Sequence, residues 1–165
     1  MNRSIYLDNS ATTRISDVAL AKYNEVSLGN FGNPSSLHGL GFNAEREVEW
    51  ARKSVLNSLG VRDASVIFTA SGSEANNLAL IGRALAKDRY MRGAKIIPTA
   101  GEHASIDEPL GRLEKMGFKI ARIPTVNGVL DLDALKREMT SDVILVSMMM
   151  VNNETGALYD VKGAA

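Results

Sequence analysis

Residues 70–77 of this chain carry groups that can hold a phosphate. Small residues open a helix there, directly after the apolar run 66–69. Backbone N–H groups at a helix start, together with the hydroxyls of Ser71 and Ser73, can wrap an anion. The helix dipole adds roughly 0.3–1 kcal/mol for a negative charge. An ordinary helix cap explains the same residues, with one serine satisfying the first turn and Glu74 complementing the dipole, and this segment alone favours the cap.

A histidine follows the next apolar run, residues 95–98. His103 can lie flat against an aromatic ligand, which is worth about 0.5–1.5 kcal/mol beyond burial, or it can move protons near neutral pH. A surface or capping role is the more common one for a single histidine. His38, the other of the two histidines, is interpreted as a residue at a helix start.

The third segment, residues 149–156, follows the apolar run 143–148 and contains Asn152, Asn153, Glu154, Thr155 and Gly156. One of the two amides can donate a hydrogen bond to a ligand oxygen. Turn formation is the alternative, because Asn, Thr and Gly all favour turns. In open α/β sheets, ligands bind beyond the carboxyl ends of the strands. The three segments together therefore predict a pocket for a phosphorylated, planar, oxygen-bearing ligand, either a nucleotide or a vitamin phosphate.

The elements that must position these segments alternate along the chain. Ser16, Asp131, Gly60 and Gly117 are placed to start or stop helices. The predicted strands are 5–7, 66–69, 95–98, 118–123 and 143–148, and the predicted helices are 18–26, 37–59, 74–92, 106–116 and 132–139. Such alternation indicates an α/β fold, with a mostly parallel sheet flanked by helices. Residues 161–165 resemble the approach to a further helix, so we expect the pattern to be incomplete.

The composition of the chain argues against several classes of function. The chain has 165 residues, which suits one domain or one lobe, and 19 basic residues balance 19 acidic ones. A zero net charge gives no reason to expect nucleic acid or an anionic membrane as a partner. No apolar run of membrane-spanning length and no secretory segment is present, so a cytoplasmic location is expected. The absence of cysteine excludes disulfides, cysteine-held metals and a thiol nucleophile from this chain, and no metal site is predicted.

Several motifs together resemble a known family. They lie at residues 6–13, 32–36 with His38, 68–78, 102–103, 127–131 and 151–156. In this order and spacing, the chain resembles the N-terminal part of a cysteine desulfurase of the NifS/IscS type, in the class V aminotransferase superfamily. The resemblance implies an incomplete cofactor-binding large domain of the aspartate aminotransferase-like fold over residues 16–165. Residues 1–15 would be an N-terminal segment on the small-domain, active-site side.

The resemblance also implies pyridoxal 5′-phosphate (PLP) as cofactor. By position, Gly72 and Ser73 would bind its phosphate, His103 would stack on its ring, and Asn153 would hydrogen-bond its 3-hydroxyl oxygen. Ala11, Thr12 and Thr13 would lie near the substrate end of the cleft. The family converts L-cysteine to L-alanine and an enzyme persulfide, whose sulfur passes to an acceptor protein in iron–sulfur cluster assembly and other sulfur-transfer pathways. Family members are homodimers.

This chain departs from the family in its catalytic groups. The Schiff-base lysine belongs to a later Ser-x-His-Lys segment, the persulfide cysteine is missing, and Lys162 matches no family lysine. No catalytic residue is therefore predicted here, and we expect a fragment that is inactive alone, since PLP chemistry needs a covalent amine anchor. The alternatives are another class V or selenocysteine lyase branch, a non-catalytic binder of phosphorylated ligands, and a subunit completed by a second polypeptide.

Overall fold

The computed structural model describes residues 5–86 and 93–165. It divides into two compact units, Met1–Ile67 and Phe68–Ala165, called here the first and the second unit, and each is described by itself. The domain boundary predicted after residue 15 follows from the family resemblance and stays a prediction.

The first unit contains two helices, α1 (Asp17–Gly29) and α2 (Gly39–Ser58). Each helix begins at a side-chain cap, because Ser16 Oγ accepts from the backbone N–H of Ala19 and His38 Nδ1 accepts from that of Gly41. Glu47 joins the helices, since one of its oxygens lies 3.1 Å from Lys22 Nζ and the other accepts from Asn30 Nδ2 at 2.9 Å. Both predicted helices and the role of His38 at a helix start are confirmed.

The second unit holds a parallel sheet with helices between its strands. Its elements are α3 (Gly72–Leu85), β1 (Lys95–Pro98), α4 (Ala104–Lys115), β2 (Lys119–Ile120), β3 (Thr125–Val126), β4 (Val129–Leu130), α5 (Leu132–Glu138), β5 (Val143–Ser147) and α6 (Val161–Ala164). The strand order is β2-β1-β5, and both pairings of β1 are parallel. Strands β3 and β4 form a separate antiparallel hairpin.

The core of the second unit lies on both faces of this sheet. Ile96 and Ile97 are both fully buried in β1, and successive strand residues point to opposite faces. Ile96 packs with Leu110 and Leu113 of α4, whereas Ile97 belongs to a second cluster with Leu135 of α5. A parallel sheet covered on both faces is the α/β arrangement predicted from the sequence, and that prediction is confirmed.

Two predicted strands are wrong. Residues 5–7 form no strand; the local turn that follows them has the Ala11 and Thr12 N–H groups donating to Asp8 O. Residues 66–69 are also irregular, and Val66 O accepts from Arg52 Nε at 3.3 Å. Strand formation depends on pairing with a neighbouring strand, which an apolar run does not report, and the large apolar side chains of Ile67 and Phe68 are exposed.

Other boundaries also differ from the predictions. The helix predicted over 74–92 ends at Leu85, with Ala86 as its C-cap residue, and residues 87–92 of that prediction lie outside the described residues. The strand predicted over 118–123 is reduced to β2, with a separate bridge between Ile123 and Thr99. The β3–β4 hairpin was not predicted, although Asn127-Gly128 has the positive φ angles, 51° and 76°, that a tight hairpin turn requires.

Candidate functional site

Helix α3 begins with two side-chain caps. Ser71 Oγ accepts from the backbone N–H of Glu74 at 3.2 Å, and Glu74 Oε2 accepts from the backbone N–H of Ala70 at 2.8 Å. This arrangement resembles a capping box, except that Glu74 accepts from Ala70, the residue before the cap, rather than from Ser71 itself. The capping interpretation is therefore correct for Ser71 and Glu74.

Gly72 and Ser73, which follow the N-cap residue Ser71, have hydrogen-bond donors that are available to a ligand. In the described part of the chain, neither the Gly72 N–H, the Ser73 N–H nor the Ser73 hydroxyl has a hydrogen-bond acceptor. Gly72 borders open space, with no atom within 4 Å of the position that a Cβ would take. The first N–H groups of a helix lack intrahelical partners and favour an anion. The start of α3 thus fits a phosphate group at Gly72 and Ser73.

His103 is the N-cap residue of α4. Its Nδ1 accepts from the backbone N–H of Ser105 at 3.1 Å and lies 2.8 Å from Ser105 Oγ. The residue remains exposed, so Nε2 and the ring faces can meet a ligand. Ser73 and His103 line the same cleft, which has a volume of about 800 Å³. The structure therefore brings together two of the residues predicted to hold the cofactor.

The two adjacent asparagines after β5 have different surroundings. Asn152 is buried, its Oδ1 accepts from the N–H groups of Glu154 and Thr155 at 3.0 and 2.9 Å, and its Nδ2 donates to Gly101 O at 3.2 Å. Asn153 is exposed, and its carboxamide makes no hydrogen bond within the described residues. Turn formation thus explains Asn152, whereas it does not engage the carboxamide of Asn153.

Glu102 is a contributor to the site that the sequence reasoning missed. Its Oε1 accepts from the hydroxyl of Thr99 and, at 3.1 Å, from the backbone N–H of Met149. This carboxylate joins the loop after β1 to the loop after β5, and the bond from Asn152 to Gly101 joins the same two loops. The sequence offered only a weak signal, an acidic residue directly before His103 at the end of a strand.

Three further predicted site residues are described within their own unit. Ala11, Thr12 and Thr13 belong to the first unit, where the Thr12 hydroxyl lies 2.5 Å from the hydroxyl of Tyr6. Their substrate-side role stays a prediction. Within residues 5–86 and 93–165, no group of three or more acidic, histidine or cysteine side chains is placed to hold a metal ion. In those same residues, no helix combines the length and the apolar character needed to cross a membrane.

Comparisons of the sequence with family models and with curated proteins point to the same family. The model of the family "Aminotransferase class-V" matches residues 5–165. A "NifS/IcsS protein homolog" from Lactobacillus delbrueckii subsp. bulgaricus is 42% identical over 96% of this chain and 41% of its own length. "Cysteine desulfurase IscS" from Dictyoglomus turgidum is 36% identical, over 98% of this chain and 41% of its own length.

A solved structure of a NifS-like protein superposes with a TM-score of 0.90 and is 35% identical, over 97% of this chain and 44% of that one. The chain therefore spans about two fifths of the length of the curated relatives it matches. The resemblance to NifS/IscS-type enzymes and the α/β fold are confirmed by these matches.

Proposed function

Because this chain belongs to the class V aminotransferase family, we propose that it forms the N-terminal part of a PLP-dependent cysteine desulfurase and contributes the cradle for the cofactor's phosphate. The observation that carries the proposal is the start of α3, where the donors of Gly72 and Ser73 are unused within the described residues and Ser73 lines the same cleft as His103. The names of the relatives, NifS homolog and cysteine desulfurase, favour this branch over other class V enzymes.

The phosphate would be held by the N–H groups of Gly72 and Ser73 and by the Ser73 hydroxyl. Hydrogen bonds between neutral donors and an anion are worth about 1.5–3 kcal/mol each, and the helix dipole adds to them. No side chain at Gly72 limits the approach of the phosphate, since the space around this residue is open.

His103 and Asn153 would hold the ring of the cofactor. The exposed imidazole of His103 offers a flat face for stacking, and the Asn153 amide offers an N–H donor for the 3-hydroxyl oxygen. PLP, when bound, supplies an electron sink for amino-acid chemistry, and the protein supplies its binding and orientation. Ala11, Thr12 and Thr13 are proposed to lie on the substrate side.

The proposed reaction of the whole enzyme removes sulfur from L-cysteine, leaves L-alanine and passes the sulfur to an acceptor protein. This chain contains no cysteine, so it offers no thiol to receive the sulfur. We assign it no catalytic residue and expect no desulfuration by the chain alone. The whole enzyme is proposed to be a homodimer and to act in the cytoplasm.

Calorimetric titration of the full chain with PLP and with pyridoxal, which lacks the phosphate, tests the cradle. Ser73→Ala removes one charge-assisted hydrogen bond, about 1.5–3 kcal/mol, so PLP affinity should fall about 10- to 150-fold while pyridoxal affinity stays unchanged. Ser54→Ala is the matched control, because the Ser54 hydroxyl donates to Trp50 O within α2. Equal binding of PLP and pyridoxal, or equal effects of both variants, would contradict the proposal.

A further inference from the structure

A chain of three polar side chains links helix α3 to the imidazole at the start of α4. Asn76 Nδ2 donates to Ser105 Oγ at 2.8 Å, and Ser105 Oγ lies 2.8 Å from His103 Nδ1. Asn76 and Ser105 are both partly buried, whereas His103 is exposed. Asn76 lies one helical turn after Gly72, so the helix that presents the proposed phosphate cradle also reaches the histidine.

The direction of these hydrogen bonds decides which ring nitrogen carries the proton. An amide NH₂ only donates, so Ser105 Oγ accepts from Asn76 and its single proton is free to be donated to His103 Nδ1. The backbone N–H of Ser105 also points to Nδ1, at 3.1 Å. This second donor cannot reverse, because a backbone nitrogen has no acceptor capacity. A proton on Nδ1 would therefore face the fixed N–H of Ser105, whereas an unprotonated Nδ1 can accept from both the N–H and the hydroxyl of Ser105.

We propose that Asn76 and Ser105 are positioning residues for His103, which fix the orientation of its ring and hold its proton on Nε2 in the neutral form. The tautomer itself does not depend on a bound cofactor. Its use in the site rests on the proposed function, because a ring fixed in this way presents one defined face and one Nε2–H group to the cleft shared with Ser73.

Nitrogen-15 NMR of the imidazole rings tests the proposal in the full, ligand-free chain. The spectra are recorded in mildly alkaline solution, where imidazole side chains are neutral. The chain has only two histidines, so the signals are assigned with His38→Asn. We expect His103 to show a protonated Nε2 and an unprotonated, hydrogen-bonded Nδ1. A protonated Nδ1 as the main form would overturn the proposal.

Asn76→Asp reverses the hydrogen bond between residue 76 and Ser105. A carboxylate accepts from the Ser105 hydroxyl, so the hydroxyl proton points away from His103 Nδ1. The Nε2–H form of His103 should then lose population, while the signals of His38 stay in place. Asn77→Asp is the matched control, since Asn77 Nδ2 donates to Ser73 O instead. Equal changes of the His103 signals in both variants would show a general charge effect and would refute the role of Asn76.

Variants of Ser105 keep the proposal testable if Asn76→Asp fails to fold. Ser105→Ala should weaken the hydrogen bond at Nδ1 and move its nitrogen-15 signal toward that of a free ring nitrogen, and Ser105→Thr should restore the original signal. An unchanged signal in Ser105→Ala would contradict the proposal. PLP titration of the same variants is a separate measurement, so failure of the tautomer assignment and failure of the proposed function are distinguishable.

Discussion

Removal of the Glu102 carboxylate should loosen the edge of the sheet that carries the candidate site. Glu102 Oε1 is the acceptor for two donors that come from the ends of two different strands, the Thr99 hydroxyl and the Met149 N–H. Thr99 is only 1% exposed, so water cannot easily replace the lost partner. A buried donor left without an acceptor carries an uncompensated desolvation penalty, and hydrogen bonds to a charged group are worth about 1.5–3 kcal/mol each.

We therefore expect Glu102→Ala to lower the free energy of unfolding by about 2–4 kcal/mol, allowing for partial relaxation around the site. Glu102→Gln keeps one acceptor oxygen but loses the charge, so its effect should be about 1–2 kcal/mol. Glu114→Ala is the control, because Glu114 is exposed on α4, where substitutions usually change stability by less than about 0.5 kcal/mol.

Urea unfolding followed by circular dichroism measures these differences, and an unchanged m-value would show that the same surface is exposed on unfolding. Hydrogen exchange at the Met149 amide gives a local readout, since this N–H should exchange faster in Glu102→Ala than in Glu114→Ala. The reasoning is refuted if the two alanine variants are equally stable and protect the Met149 amide equally.

Two further predictions concern the cofactor and pH. Borohydride reduction of the chain with PLP, followed by mass spectrometry, should give no stoichiometric pyridoxyl adduct at a single lysine, because none of its lysines matches the family's anchor; such an adduct would overturn that assignment. The Thr140 hydroxyl and then the Lys119 ammonium lower the pKa of Asp142 below its ordinary value, so its stabilising effect is present at neutral pH and is lost as acid protonates the folded-state carboxylate. Asp142→Asn should therefore melt below wild type at neutral pH and converge with it in acid, and a gap independent of pH would contradict this.

The helix starts could be predicted because their signals are local. Ser16 and Asp131 each cap a helix within three residues, through bonds to Ala19 N and Ala134 N. The apolar run at 66–69 misled the prediction because strand formation depends on a distant partner, and local sequence reports only hydrophobicity. The β3–β4 hairpin differs from this, because its signal is local: Asn127-Gly128 is a dipeptide that favours a tight hairpin turn.

The candidate site likewise has a part that local sequence predicts and a part that it does not. The sequence located the three loops, because each follows an apolar run, but it left open which of two neighbouring residues serves structure. Backbone direction decides this: Ser71 caps α3 while the Ser73 hydroxyl makes no bond in the described residues, and Asn152 turns inward while Asn153 stays exposed. The Glu102–Met149 bond joins residues 47 positions apart, and no local pattern predicts such a pair.

Cross-links between the loops explain how such a short sheet can hold a defined site. Asn76 is bonded to Ser105, and the loop before α4 is bonded to the loop after β5 through Glu102 and Asn152. The atoms that make these links are engaged in hydrogen bonds within the protein. In the described part of the chain, the donors of Gly72 and Ser73 and the amide of Asn153 remain without partners. Polar groups held by a fixed frame and left unpaired are suited to bind a polar ligand at little entropic cost, and this supports the proposed cofactor contacts independently of the family resemblance.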